Sequence, residues 1–479
     1  MTSFAGNTAI GMFWGYLAFL GTKGVSLVSL ILLARLLGPE TFGLMALCTL
    51  VIVYFEIVAR FGLGAALVSV EDHPAEMETA VAVMALISAA AMAGLAWMLA
   101  PVIAAAFDAP ELIWPLRVIA LALLIDAAGV VPVALMARRL QFRRKVVPDL
   151  ARSLVKASVA IGLALGGMGL WSLVWGHVAG TLAASLAAFA VAPWRPKVWP
   201  RRSVVAQAFR FGRHLLLAEM ITAAQRNLDA LLIGKLLGPA ALGIYTLAFR
   251  LPDLVIRSFT QIAGSVLHPV ISASGADRAA MARLYLLSLR HVALVTFPAG
   301  AALAVAARPL VELLYTPDWG AAIQPMACLA VALAIQTIDH LPGVIYKAMM
   351  RTDLLLWTAL VKLPLFVAVL LLVAPYGIKA LAAAQIGLAF LYAVPNWLIL
   401  RRIIGVGLGQ TLAALGPAVV LAAAMAGVGA LTGGLHLGSP AVEAPALGLG
   451  FALVFLAGIW LAVPELRLAA QDRWRRGRL

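Results

Sequence analysis

Long apolar runs dominate the chain, and they do not alternate with polar residues; 418–431 and 447–463 are representative. Strands of an outer-membrane barrel would show segments of about ten residues alternating in polarity, so uninterrupted runs predict helices. A bilayer crossing takes ~20 apolar residues, or ~17–25 with tilt. Polar punctuation marks off fourteen segments of about that length, at 10–34, 42–69, 79–106, 112–137, 149–168, 171–192, 209–236, 241–270, 283–306, 322–346, 354–374, 378–400, 411–430 and 445–463. The first run is longer than the apolar part of a signal peptide, so it is expected to be a retained helix. The predicted fold class is an all-α polytopic membrane protein.

Composition narrows the class further. Of 479 residues, 63% are hydrophobic and 12% charged, against ~45–50% and ~25% in a soluble domain. A soluble globule, a disordered chain, collagen and a disulfide scaffold are excluded on those numbers. Cys48 and Cys328 both lie in apolar stretches without C-x-x-C spacing, which argues against a disulfide framework or a cysteine metal site.

The net charge of +15 would suggest nucleic acid in a soluble protein. Here the bases sort by side instead. Clusters follow the even-numbered segments: Arg138, Arg139, Arg143, Arg144 and Lys145; Arg195, Lys197, Arg201 and Arg202; Arg278 and Arg283; Lys347 and Arg351; Arg401 and Arg402; and a tail holding Arg467, Arg473, Arg475, Arg476 and Arg478. Connections after odd-numbered segments, such as Asp108-Ala109-Pro110-Glu111 and Ala374-Pro375-Tyr376-Gly377, hold few. Fourteen helices with both termini cytoplasmic satisfy the positive-inside rule. The acidic Glu71-Asp72-His73 connection dissents, but acids weigh little in that rule. Contact with anionic membrane lipid, and not with nucleic acid, is the expected role of the charge.

An internal repeat organises the segments. Leu32-Leu33-Ala34-Arg35-Leu36-Leu37-Gly38-Pro39, followed by Gly43 and Leu47, recurs two hundred residues later as Leu232-Ile233-Gly234-Lys235-Leu236-Leu237-Gly238-Pro239 with Gly243 and Leu247. Gly ends a helix in the left-handed region and Pro cannot continue it, so each copy is expected to be a tight helical hairpin turn. Six segments separate the copies, an even number, so both point the same way across the bilayer. The expected organisation is two parallel-related six-helix lobes, 1–200 and 201–403, then an additional two-helix pair with a basic cytoplasmic tail, 404–479. Parallel repeats of this kind build transporters with a cleft between the lobes; a duplication kept only for packing is the other reading.

Leu33-Ala34-Arg35-Leu36-Leu37-Gly38-Pro39-Glu40-Thr41-Phe42-Gly43-Leu44 resembles the first helical hairpin of bacterial polysaccharide transporters. These are Wzx-type flippases of lipid-linked oligosaccharides, in the multidrug/oligosaccharidyl-lipid/polysaccharide exporter superfamily. Gly62-Leu63-Gly64-Ala65-Ala66-Leu67, Arg138-Arg139-Leu140-Gln141-Phe142-Arg143, the stretch from Asn227 to Gly238 and the stretch from Leu242 to Leu251 extend the resemblance. It covers roughly residues 10–400 in order and spacing. The resemblance implies a bacterial inner-membrane flippase that moves undecaprenyl-pyrophosphate-linked repeat units for exopolysaccharide, capsule or O-antigen biosynthesis. A polysaccharide polymerase and export machinery are its candidate partners.

Ionisable groups inside a membrane cost at least ~2.5–3.5 kcal/mol each on insertion scales, and they usually face a bundle interior or a wet cavity. The bases so placed are Lys23, Arg60, Arg117, Lys156, Arg226, Arg250, Arg257 and Lys362; the acids are Glu56, Asp126, Glu219, Asp229, Asp253 and Asp339. Glu56 and Arg60 stand at i,i+4, and Arg226 and Asp229 at i,i+3, spacings that favour pairing on one helix face. Arg250, Asp253 and Arg257 form a stripe with two cations for one acid. Lys23 has no acid within a helical turn in sequence. Phosphate-bearing ligands want cations in a low-dielectric cleft, so Lys23, Arg60, Arg226, Arg250 and Arg257 are the candidate substrate-binding residues, lining a cationic cavity. Ion pairs that merely neutralise buried charge are the alternative for each.

No cofactor is expected: Gly166-Gly167-Met168-Gly169 and Gly405-Val406-Gly407-Leu408-Gly409 lack the Lys-Ser/Thr ending of a P-loop. A coupling H+ or Na+ would act through Glu56, Asp126, Glu219, Asp229 or Asp339. His340 stands beside Asp339 and could titrate near neutrality. Tyr16, Tyr54, Tyr245 and Trp357 are candidate platforms for sugar rings, while Trp194 and Trp199 suit interfacial anchors. Three other functions stay open. A lipid-linked glycosyltransferase or ligase would need carboxylates on a sizeable loop, and 431–444 offers only Glu443. A cation-coupled antiporter should favour acids over bases in its cavity, against the mild excess of bases. A lipid II flippase is the third.

Overall fold

The computed structural model describes residues 21–69, 74–139, 141–273, 277–434 and 440–462. These residues are almost wholly helical and contain no strand. Tyr16, Glu71-Asp72-His73, the start of the first segment and the tail arginines lie outside them. Among the described residues, ten stretches are long and apolar enough to cross a membrane, and two of those, 226–261 and 353–404, each span two of the expected segments. Large apolar side chains such as Ile87, Met98, Leu165, Leu372 and Leu453 are exposed, a surface suited to hydrocarbon. The chain is a multi-pass membrane protein, and it folds as two compact units, Met1–Gly243 and Ile244–Leu479.

The first unit holds α1 (21–36), α2 (Pro39–Arg60), α3 (Leu63–Ser69), α4 (Pro74–Ala106), α5 (Ile113–Arg138), α6 (Phe142–Leu165), α7 (Leu170–Val191) and most of α8 (Arg202–Pro252). Small residues set its packing. Ala85, Ala89, Ala93, Ala96, Ala100 and Ala104 of α4 are buried at spacings of three and four, one stripe on which a neighbouring backbone can approach closely; α5 takes that place. On α7, Gly176 and Gly180 do the same against α6. A Cβ there would stand 3.0 Å from the carbonyl oxygen of Lys156 and 2.9 Å from that of Arg152.

The repeated Gly-Pro steps differ from expectation. Gly38 is extended (φ −77°, ψ 170°) and caps α2, with Pro39 in its first turn. Gly238 interrupts α8 with φ 82° and ψ 176°. Proline disfavours the helical region for the residue before it, so both glycines take ψ near 180°, and neither adopts the left-handed helical cap. Only Gly238 uses a positive φ.

Within the second unit, α8 runs through a π-helical turn, Asp253–Arg257, into α9 (Ser258–Ala273). Then come α10 (Arg278–Val305), the short α11 (Ala307–Leu314), α12 (Ile323–Ala348), α13 (Thr352–Val373), α14 (Gly377–Ile404), α15 (Leu408–Gly434) and α16 (Pro440–Ala462). One apolar core joins Leu289 and Val292 of α10, Leu341 and Ile345 of α12, Leu400 of α14, and Leu415, Leu421 and Met425 of α15. Thus α15 is part of this core, and α16, which lies against α15 and α11, packs on it through Phe451, Val454 and Phe455.

Candidate functional site

The end of α2 builds the site. Phe61 and Gly62 both have positive φ, 44° and 63°, so the single segment expected over 42–69 breaks into α2 and α3. A non-glycine residue in the left-handed region costs ~1–2 kcal/mol. Two contacts hold Phe61 there. Its ring stacks on Phe209 with centroids 5.0 Å apart, and Gly212 lies against its carbonyl where a Cβ would not fit. The break leaves Arg60 at the edge of a cavity of about 550 Å³ whose wall continues through Gly62–Ala65.

Asp126 of α5 is the centre of this cavity's charge. Arg60 donates to its Oδ2 from Nε and Nη2, both at 3.0 Å, and Arg152 of α6 donates to Oδ1 from Nη2 at 2.9 Å. Glu56 stands at 4.0 Å from Arg60, so the i,i+4 pair read from sequence is secondary to one made across helices. The carboxylate is 12% exposed, while Arg60 and Arg152 are 49% and 38% exposed. One buried acid therefore orients two guanidiniums that still reach open space. Asp149 and Glu219 share the lining, which makes it mixed in charge and not uniformly basic.

A related arrangement sits in the second unit. Asp339 of α12 accepts from Lys362 Nζ of α13 at 2.5 Å and from Asn396 Nδ2 of α14 at 2.6 Å. Tyr346 donates to Asn396 Oδ1 at 2.9 Å, and Tyr392 to the carbonyl of Lys362 at 3.4 Å. In each unit an acid on one helix thus pairs with a base on the next helix along the chain, Asp126 with Arg152 and Asp339 with Lys362. The second pair is enclosed by amide and phenol groups, where the first faces a cavity.

The other predicted residues are distributed as follows. Lys23 is half-buried on α1; Arg226 is exposed and Asp229 half-buried on α8, where Asp229 accepts from the N–H of Ala230 at 2.8 Å. Arg250 is exposed in the second unit. Arg257 pairs with Asp253 at 3.3 Å and lies 4.8 Å from the centroid of Phe249. His340 is exposed. Arg117 lies over Trp97 and Trp114 at 5.2 and 5.0 Å, which satisfies it by cation–π contact. Tyr245 is buried against Phe249, and Trp357 is exposed. Trp194 donates to Glu78 at 2.8 Å.

Sequence reasoning missed Arg152, Asn396, Tyr346 and Tyr392. Arg152 falls three residues inside its segment, where a base reads as a helix end. The clue was a base on the fifth and eleventh segments following an acid on the fourth and tenth.

The chain is 28% identical to the succinoglycan biosynthesis transport protein ExoT of Rhizobium meliloti (strain 1021), over 73% of this chain and 71% of that one. It is 24% identical to the teichuronic acid biosynthesis protein TuaB of Bacillus subtilis (strain 168), over 73% and 72%. The lipid II flippase MurJ in its inward closed conformation superposes with a TM-score of 0.77 at 11% identity, over 94% of this chain and 99% of that one. An inward-facing multidrug resistance MATE family transporter of the MOP superfamily gives 0.61 at 16% identity, over 80% and 95%. Those two structures share the fold. Residues 32–324, more than half of the chain, match the family described as polysaccharide biosynthesis protein, and the chain belongs to that family.

Proposed function

We propose that the chain flips polyprenyl-pyrophosphate-linked oligosaccharide repeat units across the bacterial inner membrane, with both termini cytoplasmic, by alternating access. The relatives' names concern transport or biosynthesis of succinoglycan, teichuronic acid and lipopolysaccharide, which supports a saccharide substrate. The observation that carries the reading is the sharing of Asp126 by Arg60 and Arg152 on the cavity wall. Arginine binds phosphate through paired N–H groups. Two guanidiniums held in place by one carboxylate keep donors for an incoming diphosphate, at little cost in side-chain ordering. The polyprenyl chain stays in lipid. A coupling proton or sodium ion would be taken by Glu56 or Glu219 beside the same arginines, or by Asp339. The remaining cations Lys23, Arg226, Arg250 and Arg257 are proposed to serve the head group at other stages of its passage.

The test is complementation of a deletion strain with Arg60→Gln and Arg152→Gln, reading lipid-linked repeat units in the outer leaflet. Loss of outer-leaflet units at unchanged protein level supports the reading; normal export by the double variant overturns it. A second reading has its own observation. Asp126, Asp149 and Glu219 on one lining would suit a cationic solute, as in an antiporter. Efflux of a cationic dye that depends on these carboxylates would favour it.

A further inference from the structure

A second groove lies in the first unit, away from Asp126, with a volume of about 480 Å³. Its floor is Val83 of α4 with Val205 and Phe209 of α8; Trp199, Arg202 and Arg210 line it as well. Arg202, Val205, Phe209 and Arg210 stand at i, i+3, i+7 and i+8, one face of the helix. That face is apolar in its middle and cationic at both ends, which are ~12 Å apart along the axis. Trp199 is 78% and Phe209 50% exposed.

The segment leading into this face is anchored. The N–H of Arg201 donates to Glu76 at 3.2 Å, and the indole of Trp194 to Glu78 at 2.8 Å. Both acids of the first turns of α4 are thereby engaged by the connection before α8. Arg195 and Lys197 add positive charge to the same connection. Exposed Trp and Phe are poorly solvated by water, and guanidiniums are poorly solvated by hydrocarbon. The two together suit the level where phosphate meets acyl chain.

We propose that this groove binds one anionic phospholipid from the adjacent leaflet, its phosphate received by Arg202 and Arg210 and its first methylenes laid on Val83, Val205 and Phe209. The charge complementarity commits it to an anionic headgroup, and the apolar floor to a lipid in place of a free phosphate ion.

Native mass spectrometry of the purified full chain tests this, with phosphatidylglycerol, phosphatidylcholine and inorganic phosphate as probes. The expected result is retention of one phosphatidylglycerol in preference to phosphatidylcholine. Retention should weaken about fivefold for each arginine removed in Arg202→Gln and Arg210→Gln, and should survive Arg202→Lys with Arg210→Lys. Arg195→Gln with Lys197→Gln removes equal charge from the same connection without touching the groove. Equal weakening in that control means a diffuse surface potential and overturns the site. Displacement of the lipid by millimolar inorganic phosphate, or equal retention of phosphatidylcholine, also overturns it. Should the glutamine variants fail to fold, Phe209→Asp read against the lysine variant decides: a bound lipid undiminished by Phe209→Asp excludes an acyl-lined site.

Discussion

The carbonyl of Pro239 occupies the space that a Cβ on Gly43 would need, and the carbonyl of Pro39 does the same to Gly243. The contact is reciprocal, as two copies related by a two-fold would make it. The glycine four residues after each Gly-Pro step is therefore a point of backbone contact between the two repeats of the motif. Because the opposing atoms are main chain, they cannot swing aside. Gly43→Val and Gly243→Val should each lower the melting temperature of the purified protein by many degrees or abolish its accumulation. Gly38→Ala, with negative φ and open space around it, should stay within ~0.5 kcal/mol of the parent. Gly238→Ala should cost ~1–3 kcal/mol, because φ 82° with ψ 176° is a region open essentially to glycine alone. A Gly43→Val protein that melts like the parent refutes the contact.

Asp126 and Glu56 offer a graded comparison. Asp126 accepts from two arginines at 2.9–3.0 Å, and Glu56 stands 4.0 Å from Arg60. Asp126→Asn should therefore reduce outer-leaflet repeat units at least ~10-fold, an effect of about 1.4 kcal/mol. Glu56→Gln should leave more than half of the flux. The reverse ranking, at matched protein levels, would show that Asp126 does not organise the cavity.

Enclosure of Asp339 and Lys362 predicts non-additivity. Removing one partner leaves a buried charge uncompensated, while removing both leaves none. Asp339→Asn and Lys362→Met should each destabilise strongly, and the double variant should recover a coupling on the order of 1–3 kcal/mol. Thermal unfolding in detergent measures it; simple additivity of the two single effects would contradict the pairing.

On α7, a side chain at Gly180 would press on the carbonyl of Arg152. Gly180→Leu should separate α6 from α7 and displace Arg152 from Asp126, losing transport as well as stability. Gly162→Leu, on open surface of α6, is the control and should behave as the parent in both assays.

How much of this was legible in the sequence depends on range. Apolar run lengths located the helices, since burial in lipid demands them one residue at a time. The repeat placed Gly43 and Gly243 correctly as recurring features, but a turn was the local explanation for Gly38, and only the folded backbone shows that Pro39 sets its ψ. The break at Phe61 was hidden because its cause, Phe209 and Gly212, is about 150 residues away. Asp126 stood out as an intramembrane acid, yet its partner Arg152 lies on another helix, and spacing rules within one helix say nothing about such pairs. Asn396 and Tyr346 carry no charge and gave no signal at all.

Among the described helices, α16 lies against α11 and against α15, where Gly450 faces Val428 and Gly458 faces Leu421, and its Phe451, Val454 and Phe455 pack on the apolar core of the unit. Val442, Leu449, Leu453, Leu456 and Trp460 stand exposed on it, a face suited to fatty-acid tails. Positions on that outer face are consequently answerable to the bilayer alone and free to drift among oily residues, while the two glycines and the three core-facing side chains tell the helix where to dock.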